Sequence, residues 1–357
     1  MQRYPRVEIN TDKLFQNARV ILETCRAEGI DVTAVTKVTC AHPVVVQTLV
    51  RAGCSSLGDS RLRNLRSIRK QAPEVELVLL RLPMLSQVDE VVRWADLSLN
   101  SDITTLRALD AAAGRAGTTH GAILMVDVGD LREGMWPDEV ADICKEVREL
   151  PHLKVRGVGT NLACYGGVRP QEENMRALLE SREVASETLG HPIDLVSGGN
   201  SANWLLVESG DMPDAINHLR IGEALLLGCE SVERTCIRGT ADDVFTVCAE
   251  VIEARVKPSM PIGDLGQDAF GNLPVFEDCG LHRRAIVAVG RQDAVPEGLR
   301  PQMKGVKILG ASSDHMILDV ENADGPAEVG DVLRFTVRGY SSLLAVFTSE
   351  YLSKVTV

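Results

Sequence analysis

Residues 31–38 read DVTAVTKV, a short apolar run that closes on a lysine, Lys37. The same alternation of an apolar run and a helix-like stretch recurs down the chain. The further runs are SSLGD (55–59), VELVLL (75–80), LSLN (97–100), AILMVDVG (122–129), VRGVGTNL (155–162), IDLVSGG (193–199) and INHLRIGEALLLG (216–228). Between them lie helix-like segments, among them 61–71, 86–96, 102–116, 138–149 and 171–189. Near-continuous apolar strands separated by helices predict parallel pairing, because crossover helices bury both faces of the sheet. The eight runs fit a (β/α)8 barrel of roughly 220 residues. A doubly wound open sheet usually stops nearer about six strands. No G-x-G-x-x-G follows the first run, which further weakens a dinucleotide fold.

Near residue 235 the texture changes. Alternating segments such as VFTVCAEVIEARV (244–256), RAIVAVG (284–290), VKILGASSDHMILDV (306–320) and DVLRFTV (331–337) are separated by Gly, Pro, Asn and Asp turns. The predicted architecture is α/β: a TIM-like barrel over residues 1–234, then a mainly antiparallel β domain over 235–357.

Of the 357 residues 45% are apolar but only 4% aromatic, so the core is expected to be aliphatic. The formal charge of −12 argues against a binder of nucleic-acid phosphates, which needs clustered Lys and Arg. Nine cysteines stand singly, with no C-x-x-C pair; MQRYPRVEIN is too polar for a secretory h-region, so no leader is expected, and no apolar run is long enough to span a bilayer. A soluble, cytoplasmic protein with reduced thiols is expected. The histidines show no H-E-x-x-H spacing, so no metal is expected. His218 reads either as a packed core residue or as a neighbour of Arg220.

In such barrels the chemistry sits on the loops after the C-terminal strand ends. Lys37 closes the first strand, where partial desolvation would lower its amine pKa and make it nucleophilic; alone, it also reads as a lysine snorkelling outward. After the seventh strand comes SGGNSAN, with Ser197, Gly199, Asn200 and Ser201, and the eighth gives RIGE, with Arg220, Gly222 and Glu223. Small residues leading into helices suit an anion, and barrel phosphate sites often use these two loops. Arg132 follows the fifth strand and Asn161 ends the sixth, completing a polar ring at one mouth.

These motifs resemble the alanine racemase superfamily of pyridoxal phosphate (PLP) enzymes, over nearly the whole chain. AVTKVTCAHP resembles the ornithine (basic amino acid) racemase-like branch in particular. The resemblance implies that Lys37 carries PLP through a Schiff base. It implies that Arg132 of VDVGDLREG lies near the phenolic oxygen, that Ser201 and Gly222 hold phosphate, and that Arg220 faces the pyridine nitrogen and keeps it unprotonated. TNLA puts Asn161 where the family usually has a ring-stacking histidine. The family's β-domain tyrosine, the second base, is missing: the matching stretch is AVGRQDA, with Arg291. Racemisation needs proton exchange on both faces of the α-carbon, and the candidates are Tyr340, Cys279, His282, Asp314 or Arg291. SSDHM resembles an element that enters the neighbouring subunit's site, so the resemblance implies a homodimer with shared active sites.

The expected function is racemisation of ornithine or another basic amino acid, with Lys37 removing the α-proton. A PLP lyase, either a decarboxylase or a metal-assisted D-amino-acid aldolase, retains both domains and stays open. A non-catalytic PLP carrier shares the barrel but normally lacks a β domain.

Overall fold

The apolar runs of the first two-thirds of the chain form strands with almost no exposed positions. In the computed structural model, which describes residues 3–357, the strands up to residue 221 are β1 (Arg6–Ile9), β2 (Asp31–Val35), β3 (Ser56–Asp59), β4 (Glu76–Leu79), β5 (Leu97–Asn100), β6 (His120–Met125), β7 (Leu153–Gly159), β8 (Leu195–Ser197) and β9 (His218–Ile221). β2 to β9 form a closed barrel in sequence order. Every neighbouring pair is parallel, and β9 closes on β2 with Thr33 opposite Arg220 and Ala34 opposite Ile221. β3, β5, β6 and β9 are buried at every position, as strands covered on both faces must be.

The crossover helices carry local start and stop signals. Asp102 caps the helix Ile103–Ala116 by accepting the N–H groups of Thr104 and Thr105 at 2.8 and 3.1 Å, and Gly117 ends it in the left-handed conformation at φ 65°. Leu106, Leu109, Ala112 and Ala113 form the inward stripe of this helix.

The core is aliphatic as composition suggests, with one exception at the centre of the barrel. Thr33, Ser56, Ser197, His218 and Arg220, which the strand register places on one face, are buried polar residues on barrel strands. Each such group must find its hydrogen bonds inside the protein, and those bonds organise the site described below.

The remaining strands, β10 (Phe245–Pro258), β11 (Leu281–Val287), β12 (Leu299–Pro301), β13 (Lys307–Ala311), β14 (Met316–Asp319), β15 (Val332–Val337) and β16 (Ser353–Thr356), build a sheet of order β12-β15-β10-β11-β14-β13. Phe245 of β10 packs edge to face against Phe347 of the helix Tyr340–Thr348, with centroids 5.6 Å apart. β1 runs antiparallel to β10 and parallel to β16. The sequence pattern starts the barrel at residue 1; β1 is instead a strand of this second sheet, because its backbone partners lie near the other end of the chain. The chain divides into two compact units. One comprises Asp12–Lys37 and Ala41–Ala241; the other comprises the chain up to Thr11, Val38–Cys40 and Asp242–Val357. Among the described residues no helix is long and apolar enough to cross a membrane.

Val78, Leu97, Leu99, Ile123 and Met125 form a tight apolar cluster on β4, β5 and β6. Leu99 is 1% exposed, so Leu99→Ala leaves a cavity there and is expected to cost about 2–5 kcal/mol in urea unfolding.

Candidate active site

Lys37 follows β2 by two residues, and the N–H of Thr36 still pairs with Gly58 O at 2.9 Å. The parallel pairing therefore runs almost to the lysine. A short 3-10 turn, Lys37–Thr39, comes next, then two consecutive left-handed residues that are not glycine, Cys40 and Ala41, each at φ 51°. Such backbone is uncommon and is held only where surrounding structure over-determines it. Burial holds the Lys37 amine below its ordinary pKa, and the nearby Arg132 guanidinium adds to that; Cys164, Asp59 and Glu133 act the other way. An amine with a lowered pKa carries a larger neutral, nucleophilic fraction.

Arg220 projects from the last barrel strand and is 4% exposed. Its Nη2 donates to Thr160 O at 2.5 Å and to Asn161 Oδ1 at 2.9 Å, while Nη1 donates to the Ser197 hydroxyl. Burial pulls its pKa down to about 10, leaving it a cation at neutral pH. Ser197 Oγ also contacts His218 Nδ1 at 2.7 Å, His218 Nε2 lies 2.9 Å from Thr33 Oγ1, and Thr33 Oγ1 lies 2.7 Å from Ser56 Oγ. Arg220 can only donate, so Ser197 accepts from it, and the serine proton is used if it passes to His218 Nδ1. The ring hydrogen then sits on Nε2 and points at Thr33. Burial and Arg220 hold His218 neutral, with a pKa of about 3.

Asn161, 8% exposed, donates through Nδ2 to Glu133 Oε1 while its Oδ1 accepts from Arg220. Glu133 Oε2 in turn takes Arg132 Nε at 2.9 Å. Asp59 ends β3, buried, and accepts from Thr36 Oγ1 at 2.8 Å and Asn64 Nδ2 at 3.0 Å.

The loops after β8 and β9 are tied together. Ser201 Oγ accepts the N–H groups of Gly222 and Ala224 at 3.3 and 3.2 Å. Asn200 caps Ala202 at 2.8 Å and reaches Leu162 O at 2.9 Å and Cys164 Sγ at 3.4 Å. Gly199 sits at φ 144°, where a Cβ would lie 2.1 Å from Asn203 Oδ1, so only glycine fits. Glu223 is buried and pairs with Arg234 at 2.7 Å.

Of the residues singled out from sequence, Lys37, Arg132, Asn161, Ser197, Gly199, Asn200, Ser201, Arg220, Gly222 and Glu223 all belong to the barrel unit, at or just beyond strand ends. The Ser197 side chain is committed to Arg220 and His218. Arg291, Asp314 and Tyr340 belong to the β unit. There Arg291 pairs with Glu297 at 2.5 Å and lies over the Phe270 ring at 5.4 Å, Asp314 pairs with His315 at 3.0 Å, and Tyr340 opens the helix Tyr340–Thr348. Asp59, Thr160 and Cys164 went unnoticed in the sequence, although Asp59 ends its strand much as Lys37 follows its own. Thr160 Oγ1 is buried without a protein hydrogen-bond partner, a group that calls for a bound acceptor or donor.

The chain matches the family described as alanine racemase, N-terminal domain, over residues 9–229. It is 40% identical to an ornithine racemase of Acetoanaerobium sticklandii, covering 98% of this chain and 99% of that one. It is 41% identical to a lysine racemase of Thermotoga maritima, covering 99% and 98%. In fold it is similar to an alanine racemase from Bartonella henselae solved with covalently bound pyridoxal phosphate, at TM-score 0.76 and 16% identity over the whole of both chains.

His120, buried and bonded to Ser98 Oγ at 2.8 Å, is held neutral by burial, with a pKa of about 4. Both buried histidines thus have folded pKa values below the ordinary 6.5. The unfolded chain takes up protons below pH 6.5, while the folded one waits until about 4 and about 3. Their contribution to stability is therefore complete above 6.5 and lost as pH falls below it. In urea unfolding between about pH 6.5 and 4.5, His120→Gln should lower the slope of stability against pH by up to about one proton equivalent.

Proposed function

The chain belongs to the alanine racemase family, and on that premise we propose that it is a PLP-dependent racemase of basic amino acids, ornithine or lysine. The observation that carries the reading is Lys37: a half-buried amine just past the end of the first barrel strand, its pKa lowered, beside Arg132. Near-full-length identity of about 40% to an ornithine racemase and a lysine racemase supports the substrate class.

The donor set suits the cofactor. Lys37 would hold it covalently, Ser201 and Gly222 with the loop Gly199–Asn200 would hold its phosphate, and Arg132, Asn161 and Arg220 would line its ring. The orphaned Thr160 hydroxyl adds an unused polar group in the strand-end segment shared with Asn161. When bound, PLP supplies an electron sink for the electrons left at the α-carbon. Arg220, protonated up to about pH 10, can donate a hydrogen bond to a ring nitrogen without giving up its proton. That keeps the sink weak, which disfavours transamination. Lys37 Nζ would hold or remove the α-proton on one face. The other face would be served from the β unit of a second copy in a homodimer, with Tyr340, Cys279, His282, Asp314 and Arg291 as the candidates.

The test incubates PLP-loaded protein with single enantiomers of ornithine, lysine, alanine and serine in deuterated water. Proton NMR follows α-deuterium exchange while polarimetry follows rotation. Ornithine or lysine should exchange and lose rotation together, and Lys37→Ala should slow both by about 10²–10⁴-fold. Exchange with rotation retained would mean that only one face is served. Carbon dioxide release, or a requirement for a divalent metal, would replace the racemase with a decarboxylase or an aldolase.

A further inference from the structure

Glu133 stands between the two arginines of the barrel mouth. Its Oε2 takes Arg132 Nε at 2.9 Å, and its Oε1 accepts Asn161 Nδ2. Asn161 Oδ1 then accepts Arg220 Nη2 at 2.9 Å. The chain of contacts fixes the amide's orientation, since its oxygen must face a guanidinium and its nitrogen a carboxylate. The Glu133 side chain is 12% exposed, and the loop that carries it is tightly tied. Asp127 N donates to Met135 O and Met135 N to Met125 O, each at 2.9 Å, and Asp127 Oδ1 accepts Gly129 N at 2.8 Å. Gly134, at φ 147°, has no room for a Cβ, which would lie 2.3 Å from Asp127 N.

A carboxylate in a site for basic substrates invites assignment as the acceptor of the side-chain ammonium. Its visible contacts lie within the protein instead: each Glu133 oxygen already has a donor there.

We infer that Glu133 is the positioning residue of this site: one carboxylate aims Arg132 directly and Arg220 through Asn161. The inference rests on the racemase reading for what the two arginines act on. Because Glu133 also faces Lys37, together with Arg132, Cys164, Asp59 and, from the last loop, Glu223, its charge is felt at the amine. Arg220 is faced by Glu133, Cys164, Arg132 and the neutral His218.

Glu133→Gln is isosteric, but it offers one acceptor where two are needed and carries no charge. Removing a negative charge disfavours a protonated nitrogen on Lys37. The visible-absorbance titration of PLP bound to Lys37 should therefore move its midpoint down by about one pH unit. kcat should fall at least about tenfold, with KM changing less than about threefold, as expected for lost orientation rather than lost binding. Glu133→Asp, which keeps the charge but is shorter, should restore the midpoint and not kcat. A midpoint within about 0.2 unit of wild type in Glu133→Gln, or kcat within about twofold, overturns the inference. Asn161→Ala tests the same link where Glu133→Gln fails to fold: it leaves the Arg132 pair intact and cuts the path to Arg220. Unchanged kcat in folded, PLP-loaded Asn161→Ala also overturns it. The pH dependence of Lys37 labelling by trinitrobenzenesulfonate in the apo-protein, read by peptide mass spectrometry, should show the same downward shift. That measurement needs no racemase activity, so a failed substrate assay and a failed role for Glu133 are told apart.

Discussion

A guanidinium buried to 4% exposure must find its hydrogen-bond acceptors inside the protein. Arg220 finds them at two neighbouring places: the backbone and side chain that follow β7, and the serine that ends β8. Barrel closure makes this arrangement available. In a closed parallel sheet every strand delivers its C-terminal end to the same mouth, so residues 59 positions apart, such as Asn161 and Arg220, meet without any long excursion of the chain. Displacing β7 or β8 would strand a buried cation, which is costly by several kcal/mol. The register of three strands and the orientation of one arginine are thus a single problem with a single solution.

Much of this was legible in the sequence, and for a definite reason. Strands covered on both faces read as continuous apolar runs, and each of the eight quoted runs overlaps one barrel strand. Lys37, Arg132 and Asn161 were visible because each is a polar residue at or just beyond the end of such a run, and Arg220 because it interrupts the last one. The turn residues of SGGNSAN were visible for a similar reason: Gly199 is at a φ that excludes a side chain, and Asn200 is an N-cap.

The rest was hidden by distance along the chain. RVEI (6–9) has the composition of a strand, but nothing local says that its partners are residues 245–248 and 353–356. Glu133, beside Arg132, reads in sequence as one of several carboxylates available to a basic substrate, with Glu223, Asp293 and Asp314. Its meaning depends on Asn161, 28 positions away, and through it on Arg220. Ser197 was read as part of an anion loop, yet its hydroxyl lies against His218 and Arg220, a direction that only strand register reveals. Composition also concealed the polar centre of the barrel, because a few Thr, Ser and His residues barely alter an otherwise aliphatic average.

That polar centre bears on what the site can do. His218 and Arg220 occupy alternate positions on β9, and His218 meets Arg220 through the Ser197 hydroxyl they share. Two cations so close in a buried place would repel strongly. The conflict is resolved at the weaker base: His218 stays neutral down to about pH 3, whereas Arg220 keeps its charge to about pH 10. The relay from Ser197 to Ser56 is consequently free of charge across the ordinary pH range and holds Arg220 by hydrogen bonds alone. Arg220 cannot pass a proton along that relay, since no group in it is basic enough to take one. Any further group that meets this arginine must therefore be an acceptor. Under the proposed racemase reading, a ring nitrogen there would stay unprotonated, and Lys37, with its lowered pKa, would be the group that moves the α-proton.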